Sequence, residues 1–392
     1  MRSLGSCCLF LFLLQPESAF ALRLDQEEVR TILDNVAIHL EKMQLTSGRY
    51  QYEFNPFTGD FTDDDNVVRQ VGTLQSMSEL YKVFEDEKYL ERLKKTADYW
   101  LEQSVRDVTP DGLVLRYIPN EVHGDEAKTG TMALFIVGTR VLKEVGDPWW
   151  LAHEQEMSEI ENAIFWLQKA DGSFAKSYHH GMTEAKKEAT PNLDFFDGES
   201  MLALLKIYRT DRDERSRNAI YAALSHWERA YVDEYAKGLY LWAMTSMRLG
   251  YELFEDGRFA TFADIHQALY DNYSPPRRVF FSNNRCATLE GMSQWMRLQQ
   301  QLGVERNMHE KYLDFSLRRI ARLQVSREHK LRVSYNGLML RIAPRGIGIG
   351  GILTGLNQPV QRIDFQQHCI SAYRAWLIYL DRIKNQPAVV EE

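Results

Sequence analysis

The feature that most constrains the fold is a sixfold alternation of helices in which one set is entered from long polar loops. The loops that precede this set are rich in Asp, Asn, Arg, Tyr and Gly, and the connections that follow it are mostly short. The six helices begin near Asn66, Gly130, Glu199, Tyr240, Thr288 and Gln366. Because functional side chains tend to lie on long loops held by a rigid scaffold, we expect a working face at these helix starts and a structural face at the opposite ends.

Apolar residues recur at i, i+3, i+4 and i+7 in twelve segments, which predicts twelve helices. Half of them are amphipathic and charged on one side, as expected for an outer layer; they run near 25–44, 87–104, 151–169, 212–232, 258–272 and 305–325. The others are richer in small and apolar residues, and helices that are apolar nearly all round belong in the interior. These inner segments run near 66–83, 128–144, 197–209, 239–254, 286–302 and 366–384.

The helix pairs predict an all-α fold, an (α/α)6 barrel with small β-hairpins in the long loops, near 48–54 and 331–342. A pair that cannot bury its own apolar face stacks on its neighbours, and six pairs that close on themselves form a toroid. An open helical solenoid is the competing architecture, but it requires a stricter repeat. The helix starts are 41 residues apart between Glu199 and Tyr240 and 78 apart between Thr288 and Gln366.

Residues 1–21 have the pattern of a secretory signal peptide. Arg2 supplies the positive start, residues 9–14 the apolar core, and residues 19–21 an A-x-A cleavage site. We therefore expect cleavage after Ala21 and a periplasmic or secreted protein. An N-terminal membrane anchor is the weaker alternative, because the apolar run is far shorter than the ~20 residues that span a bilayer.

Residues 22–392 are predicted to form one toroid domain, because no Pro/Gly/Ser-rich linker interrupts the helical rhythm. We predict no membrane span in this mature chain. The net charge of −8 and the pI of about 5.8 argue against sequence-independent nucleic-acid binding, which relies on a basic surface. No H-E-x-x-H, G-x-S-x-G or C-x-x-C motif is present, and we expect neither a metal nor a cofactor. The sequence leaves the oligomeric state open.

Two cysteines remain after the predicted cleavage, Cys286 and Cys369, each at the start of an inner helix. In an oxidising compartment they can form one disulfide. Two buried thiols are the alternative, because the sequence does not supply the Cα separation that a disulfide requires.

The first candidate site is the acidic run at 63–65, which precedes an inner helix. Asp63 or Asp64 is predicted as the N-cap of that helix, because a carboxylate there accepts backbone N–H bonds. Asp65 and Arg69 are four residues apart, so that they share a helix face and can pair. Such a pair has either a structural or a catalytic role.

Glu199 is the second candidate. Asp197 is predicted as the N-cap, which places Glu199 in the first turn of an inner helix and at the mouth of the barrel. Burial beside aromatic side chains raises the pKa of a carboxyl group, and a general acid requires a raised pKa. The alternative is a first-turn glutamate favoured by the helix dipole alone.

A third candidate group precedes and enters the fifth inner helix. Asn284 and Arg285 lie at its start, as possible substrate-binding residues, and Glu290 lies deeper along it. A carboxylate in an otherwise apolar helix needs a partner, so a salt bridge from Glu290 to Arg69 or Arg285 is the simplest interpretation. A catalytic role for Glu290 is the alternative.

The fourth candidate group opens the last inner helix, where Asp364 is predicted to cap and Gln367 and His368 fall in the first turn. Histidine is the usual proton shuttle near neutral pH, although a lone helical histidine is more often a hydrogen-bonded core residue. Gln367 and Arg362 are candidates for substrate binding.

The loops before the first and last inner helices carry opposite charge. Residues 326–363 hold six basic residues and one acidic residue, whereas residues 50–65 hold five acidic residues and no Lys or Arg. In a closed toroid these loops are neighbours. Their charges either form salt bridges that close the ring or leave a basic edge for anionic ligands such as uronates, phosphates or sulfates. Aromatic residues on the same face, Tyr52 and Trp242 among them, suit the apolar faces of sugars.

The chain resembles the six-hairpin (α/α)6 glycosidase-like superfamily across residues 25–384. The resemblance rests on three inner-helix starts: 66–72 (NVVRQVG), 198–204 (GESMLAL) and 367–372 (QHCISA). Members include unsaturated glucuronyl hydrolases, glucuronyl C5-epimerases and N-acylglucosamine epimerases. The resemblance implies carbohydrate chemistry at the barrel mouth, but the fold alone does not fix the reaction.

The leading functional hypothesis is an exported glycoside hydrolase that acts on a polysaccharide or oligosaccharide, with an anionic glycan as one option. Paired carboxylates are expected at the barrel mouth. Glu199 takes the role of general acid, and Asp65 or Glu290 that of base or nucleophile.

Three alternatives stay open at this point. A uronate epimerase or lyase would use His368 or a tyrosine as base, with Arg362 or Arg69 neutralising the substrate carboxylate. A periplasmic glycan-binding or assembly protein would need no catalytic pair. A lanthionine-synthetase-like zinc toroid would use Cys286, His368 and Cys369, but adjacent His and Cys on a helix point in different directions.

Overall fold

The computed structural model describes residues 23–385, apart from 57, 122–123, 274–284, 326–331, 336–337, 342–345 and 356–358; for 332–341 and 384–385 it describes the backbone only. Fourteen helices fall within this part of the chain. They are α1 Gln26–Met43, α2 Val67–Phe84, α3 Lys88–Gln103, α4 Thr129–Val145, α5 Pro148–Ala152, α6 Glu154–Leu167, α7 Glu184–Ala189, α8 Asp194–Asp211, α9 Glu214–Ala230, α10 Tyr240–Phe254, α11 Gly257–Tyr273, α12 Arg285–Gln301, α13 Asn307–Ala321 and α14 Ile363–Asn385.

Six of these helices form a closed inner ring. Each of α2, α4, α8, α10, α12 and α14 packs against the next, and α14 packs back onto α2. Helices α1, α3, α6, α9, α11 and α13 pack outside the ring. The predicted all-α (α/α)6 barrel is therefore confirmed, and the contact between the last and first inner helices excludes an open solenoid. Among the described residues, no helix combines the length and the apolar character that a membrane span requires.

The two layers differ as their sequences predict. Every residue of 129–142 in α4 is buried, because this helix is apolar or small on all sides. The outer helix α3 instead buries one face, which includes Leu90, Leu93 and Trp100, and exposes its charged residues to solvent. Burial on all sides fixes the inner helices relative to one another and holds their N-terminal ends at a common rim.

Short strands occupy the long loops that enter the inner helices. A three-stranded antiparallel sheet has the order β2-β1-β9, and three further strand pairs join β3 to β4, β5 to β6 and β7 to β8. The strands are β1 Glu53–Asn55, β2 Asp60–Phe61, β3 Val105–Val108, β4 Val114–Tyr117, β5 Glu126–Lys128, β6 Ser177–His179, β7 Arg332–Tyr335, β8 Leu338–Arg341 and β9 Gln361–Arg362. The hairpin predicted near 331–342 is present, whereas the one predicted near 48–54 lies further along, at 53–61.

Three predicted helix caps are wrong. Helix α14 begins at Ile363, so Asp364 lies in its first turn, and Gln367 and His368 follow in the second. The N-cap of α2 is Asn66, whose side chain accepts from the Arg69 N–H at 3.1 Å, and not Asp63 or Asp64. Helix α8 begins at Asp194, so Asp197 lies in its first turn and Glu199 in its second. Asp197 binds groups outside its own helix and is therefore not the cap.

Cys286 and Cys369 form a disulfide that joins α12 to α14, and both residues are fully buried. This bond connects the last inner helix to its neighbour and so supports closure of the ring. It also removes the thiolates that the zinc alternative requires.

Loss of this disulfide should destabilise the protein. The bond closes a separation of 83 residues, so we expect reduction, or the double variant Cys286→Ala/Cys369→Ala, to cost about 2–5 kcal/mol. Denaturant unfolding of residues 22–392, produced in an oxidising compartment, measures this cost. The double variant should be insensitive to reductant. Equal unfolding midpoints for the wild type with and without reductant would contradict the prediction.

Candidate active site

A cavity of about 650 Å³ opens at the end of the ring where the inner helices begin. We call this end the mouth. Its lining combines aromatic and apolar walls with a few polar side chains, which is typical of small-molecule sites. The polar residues that line it are Asn66, Arg69, Lys128, Asp194, Glu199, Lys237, Thr288, Asp364, Gln367 and His368. The aromatic residues are Phe195, Phe196, Tyr235, Tyr240 and Trp242.

Glu199 lies in the wall of this cavity and is 5% exposed. Its Oε2 atom is buried and has no hydrogen-bond partner among the described residues. Burial therefore raises the pKa of Glu199 well above its ordinary value, because nothing nearby compensates for the cost of the charged form. The structure thus places beside the cavity a carboxyl group whose surroundings favour its protonated form.

Gly130 of α4 makes room for this carboxyl group. A Cβ atom at position 130 would lie 2.0 Å from Glu199 Oε2 and 2.5 Å from Phe196 Cδ1. The glycine is therefore required by close approach, and it fixes the position of the glutamate against α4.

His368 and Glu290 form the second group at the cavity. His368 Nδ1 lies 2.8 Å from Glu290 Oε2, and its ring meets Trp242 edge to face. Burial raises the pKa of Glu290, and the hydrogen bond with His368 opposes that rise. When the Glu290 carboxylate accepts from Nδ1–H, the Nε2 atom keeps its lone pair and can accept a proton. The expected salt bridge from Glu290 to Arg69 or Arg285 is therefore replaced by a pair that spans α12 and α14.

A carboxylate and two arginines occupy the edge of the cavity between the first and last hairpins. Arg362 binds Asp364 through Nε and Nη2 at 2.6 and 2.9 Å, and Arg69 Nε lies 3.2 Å from the same carboxylate. Arg69 Nη1 also contacts the Tyr52 hydroxyl. Strand pairing of Glu53 with Arg362 joins the same two loops, so the predicted acidic and basic loops do meet.

Asp65 is not part of this cavity. Its carboxylate contacts Arg49 and accepts from Gln70 Nε2 at 2.8 Å. It lines a separate cavity of about 200 Å³ beside Tyr99. The predicted pairing of Asp65 with Arg69 is wrong because Asp65 precedes the α2 cap, which turns it away from Arg69.

The remaining predicted residues are distributed as follows. Gln367 and Trp242 line the cavity, and Gln367 Nε2 lies 3.3 Å from Gln75 Oε1. Arg285 is half-buried at the start of α12, outside the lining. Asn284 lies outside the described residues.

Sequence reasoning missed several residues that line the mouth. Asp194 accepts from the Gly238 N–H at 2.9 Å, and Lys128 and Lys237 contribute cations from two different hairpins. The loop before α10, which carries Tyr235 and Lys237, contained no recognisable motif. Only the position of these residues before an inner helix could have signalled their role.

No protein-family model matches the sequence, and no curated protein matches it significantly. Solved structures with the same fold span nearly the whole chain. The GH76A α-1,6-mannanase from Salegentibacter sp. HEL1_6 has 11% identity, covers 91% of this chain and 100% of its own, and gives a TM-score of 0.61. The unsaturated glucuronyl hydrolase from Streptococcus agalactiae has 12% identity, with coverages of 91% and 93% and a TM-score of 0.61.

A third structure, the cellobiose 2-epimerase from Bacillus thermoamylovorans B4167, has 9% identity, coverages of 89% and 98%, and a TM-score of 0.63. An inactive variant of the mannanase was solved in complex with α-1,6-mannotetrose. At these identities the likeness shows the fold. The chain thus has the (α/α)6 toroid fold that these proteins share, as its resemblance implied.

The raised pKa of Glu199 predicts a pH-dependent gain in stability for Glu199→Gln. The folded state holds this proton more tightly than the unfolded state, so wild-type stability falls as pH rises above the ordinary glutamate value of about 4.5. The variant has no ionisable group at this position, so its stability does not fall in this way. Its melting temperature should match that of the wild type near pH 4 and exceed it progressively at higher pH. Glu102→Gln, an exposed change on α3, should show no such trend, and a pH-independent difference for Glu199→Gln would refute the assignment.

Gly130→Ala should destabilise the protein by about 1–3 kcal/mol, the usual cost of overpacking. The new methyl group displaces either Glu199 or Phe196. Gly257→Ala on α11 is the matched control, because no atom lies within 4 Å of a Cβ there, and we expect it to be neutral or slightly stabilising. Denaturant unfolding compares the two variants. Equal stability of both would show that the contact at Gly130 is not tight.

Proposed function

We propose that this protein is a carbohydrate-active enzyme, and specifically a glycoside hydrolase with Glu199 as general acid. The observation that carries the proposal is the buried Glu199 carboxyl group, which has a raised pKa and no hydrogen-bond partner on Oε2 among the described residues, in the wall of a cavity of about 650 Å³. A binding protein gains nothing from such a group, since an unpaired buried polar atom costs stability. A general acid requires it, because the proton must be available near neutral pH.

We assign the second role in hydrolysis, that of general base, to His368. The other carboxylates of the cavity wall are engaged: Asp364 by Arg362 and Arg69, and Asp194 by a backbone N–H. Glu290 is 1% exposed and reaches the cavity only through His368.

In the proposed reaction, Glu199 protonates the glycosidic oxygen as its bond to the anomeric carbon breaks. A water oxygen attacks that carbon, and its proton passes to Nε2 of His368. Glu290 orients the imidazole and balances its positive charge. This arrangement departs from the two carboxylates usual in glycosidases, and it modifies the expectation that Asp65 or Glu290 acts directly.

The lining of the mouth supports a glycan substrate with anionic groups. Phe195, Tyr235 and Trp242 offer aromatic faces of the kind that pack against sugar rings. Lys128 and Lys237 line the same cavity and have no ion-pair partner in the part of the chain that the structure describes. The mannanase and the glucuronyl hydrolase of the same fold act on carbohydrates, which supports the proposed class. With the signal-peptide pattern of residues 1–21, we propose that the enzyme is exported.

A second candidate function, epimerisation or elimination at a uronate, is favoured by one observation. The candidate base is a histidine supported by a carboxylate, which suits removal of a carbon-bound proton alpha to a carboxylate. Glu199 would then return a proton in an epimerase, and Arg69 would neutralise the substrate. The cellobiose 2-epimerase shares the fold.

Isotope labelling separates these reactions. Residues 22–392 would be incubated with anionic and neutral oligosaccharides in H₂¹⁸O and, separately, in D₂O, and the products analysed by mass spectrometry. Hydrolysis should place one ¹⁸O at each new reducing end and no deuterium on carbon. Carbon-bound deuterium at unchanged chain length would select epimerisation, and an unsaturated product would select elimination.

Glu199→Gln and His368→Ala should each lower the rate by ~10²–10⁴-fold, as expected for loss of a general acid or base. Glu102→Gln and His153→Ala, on the outer layer, are the matched controls. Full activity of Glu199→Gln would overturn the proposal. Glycan binding without any product, in every substrate, would favour the binding or assembly function instead.

A further inference from the structure

A second cavity, of about 140 Å³, lies at the opposite end of the ring, where the inner helices end. We call this end the base. All six inner helices contribute side chains to it, and most of its polar groups are cationic. The basic residues are Lys82, Lys206, Arg209, Arg248, Arg297, Arg374 and Arg382, and the acidic ones are Glu79 and Glu252.

Ion pairs account for three of the seven cations. Each of these has one carboxylate partner at 2.6–2.7 Å: Arg374 with Glu79, Arg248 with Glu252, and Lys82 with Glu144. Among the described residues, Lys206, Arg209, Arg297 and Arg382 have no carboxylate within ion-pair distance. The base cavity therefore has an excess of positive charge inside a protein whose net charge is −8.

Arg297 is the most deeply buried of the unpaired cations, with 6% exposure. Its Nη1 donates to Gln294 Oε1 at 3.1 Å, but its Nε is buried and has no partner in the described structure. Burial and the neighbouring guanidinium groups, first that of Arg248, hold the pKa of Arg297 well below its ordinary range. A guanidinium in this setting is energetically costly unless an anion accompanies it.

Lys206 on α8 shows the same imbalance. Burial first, and then the nearby Lys82, lower the pKa of Lys206 to about 7 against the opposing charges of Glu144 and Glu79. Two inner helices, α8 and α12, thus direct unpaired cations toward one small cavity.

The helix ends alone do not explain this cluster. Each helix C-terminus carries roughly half a negative charge, and the effect falls off within the last turn. That compensation suits Arg209 and Arg382, which are exposed near helix ends. It provides no hydrogen-bond acceptor for the buried Nε of Arg297.

We propose that the base cavity is a binding site for a small tetrahedral oxyanion of the phosphate or sulfate class, separate from the site at the mouth. Guanidinium groups bind such anions through several parallel, charge-assisted hydrogen bonds, and the Arg297 guanidinium lines the cavity without a carboxylate partner among the described residues. The cavity volume is about ten times the ~10–15 Å³ that a single water requires, so it can hold an oxyanion with a few waters. The anion neutralises the excess charge and connects α8, α12 and α14 at the base.

Calorimetric titration of the mature chain with inorganic phosphate and with sulfate tests this site, alongside melting temperatures in phosphate and in sodium chloride of equal ionic strength. We expect saturable binding, and a rise in melting temperature with phosphate that chloride does not reproduce. Arg297→Gln should weaken phosphate binding tenfold or more. In anion-free buffer it should melt higher than the wild type, because it relieves repulsion among buried cations.

Controls separate the base from the mouth and from the protein surface. Lys206→Met is the second base variant and should also weaken phosphate binding. Lys237→Gln at the mouth, Glu199→Gln, and Arg217→Gln on the outer helix α9 should leave it unchanged. The proposal is overturned if phosphate acts no differently from chloride, or if binding is lost in Lys237→Gln and retained in Arg297→Gln.

Discussion

The structure depends on burial of the inner helices on all sides, which only a closed ring achieves. An inner helix such as α4 has no polar face to present to water, so it is stable only between two neighbours and beneath an outer helix. Closure requires α14 to fit between α12 and α2, where the Cys286–Cys369 disulfide and the strand contact between Glu53 and Arg362 hold it. The mouth and base cavities are the two open ends of this packing, and neither exists without the complete ring.

Two carboxyl groups on α8 differ in their hydrogen-bond partners, and this difference separates a structural acid from a candidate reactive one. Burial raises the pKa of both Asp197 and Glu199. Asp197 accepts three hydrogen bonds, from the Phe174 N–H, Asn192 and Tyr231, and these oppose the effect of burial and tie two loops to the helix. The Oε2 atom of Glu199 accepts none. Groups two residues apart on one helix are thus given different chemistry by their partners.

The sequence predicted what depends on local periodicity and failed where long-range contacts decide. Apolar spacing was sufficient for the twelve principal helices and the all-α ring, because inner and outer helices differ in how many faces they bury. It also placed Glu199 and His368 at the same end of the barrel. It could not predict that Glu290 pairs with His368, 78 residues away, or that Arg49 contacts Asp65, since these partners come from different hairpins. The sequence could not decide between a disulfide and two thiols for the same reason, because the distance between Cys286 and Cys369 is set by the folded ring.

The residues that line the mouth are spread over nearly the whole chain, and this affects the order in which the protein folds during synthesis. Helix α2 ends at Phe84 and α14 ends at Asn385, so the ribosome adds about 300 residues between them. At ~5–20 residues per second this takes ~15–60 s, during which one flank of α2 lacks its final neighbour. His368 is also the last of the candidate reactive groups to be synthesised. Until α14 is added, the nascent chain can form only an incomplete ring. Packing of α14 therefore completes the candidate active site and buries the last exposed apolar face in the same step.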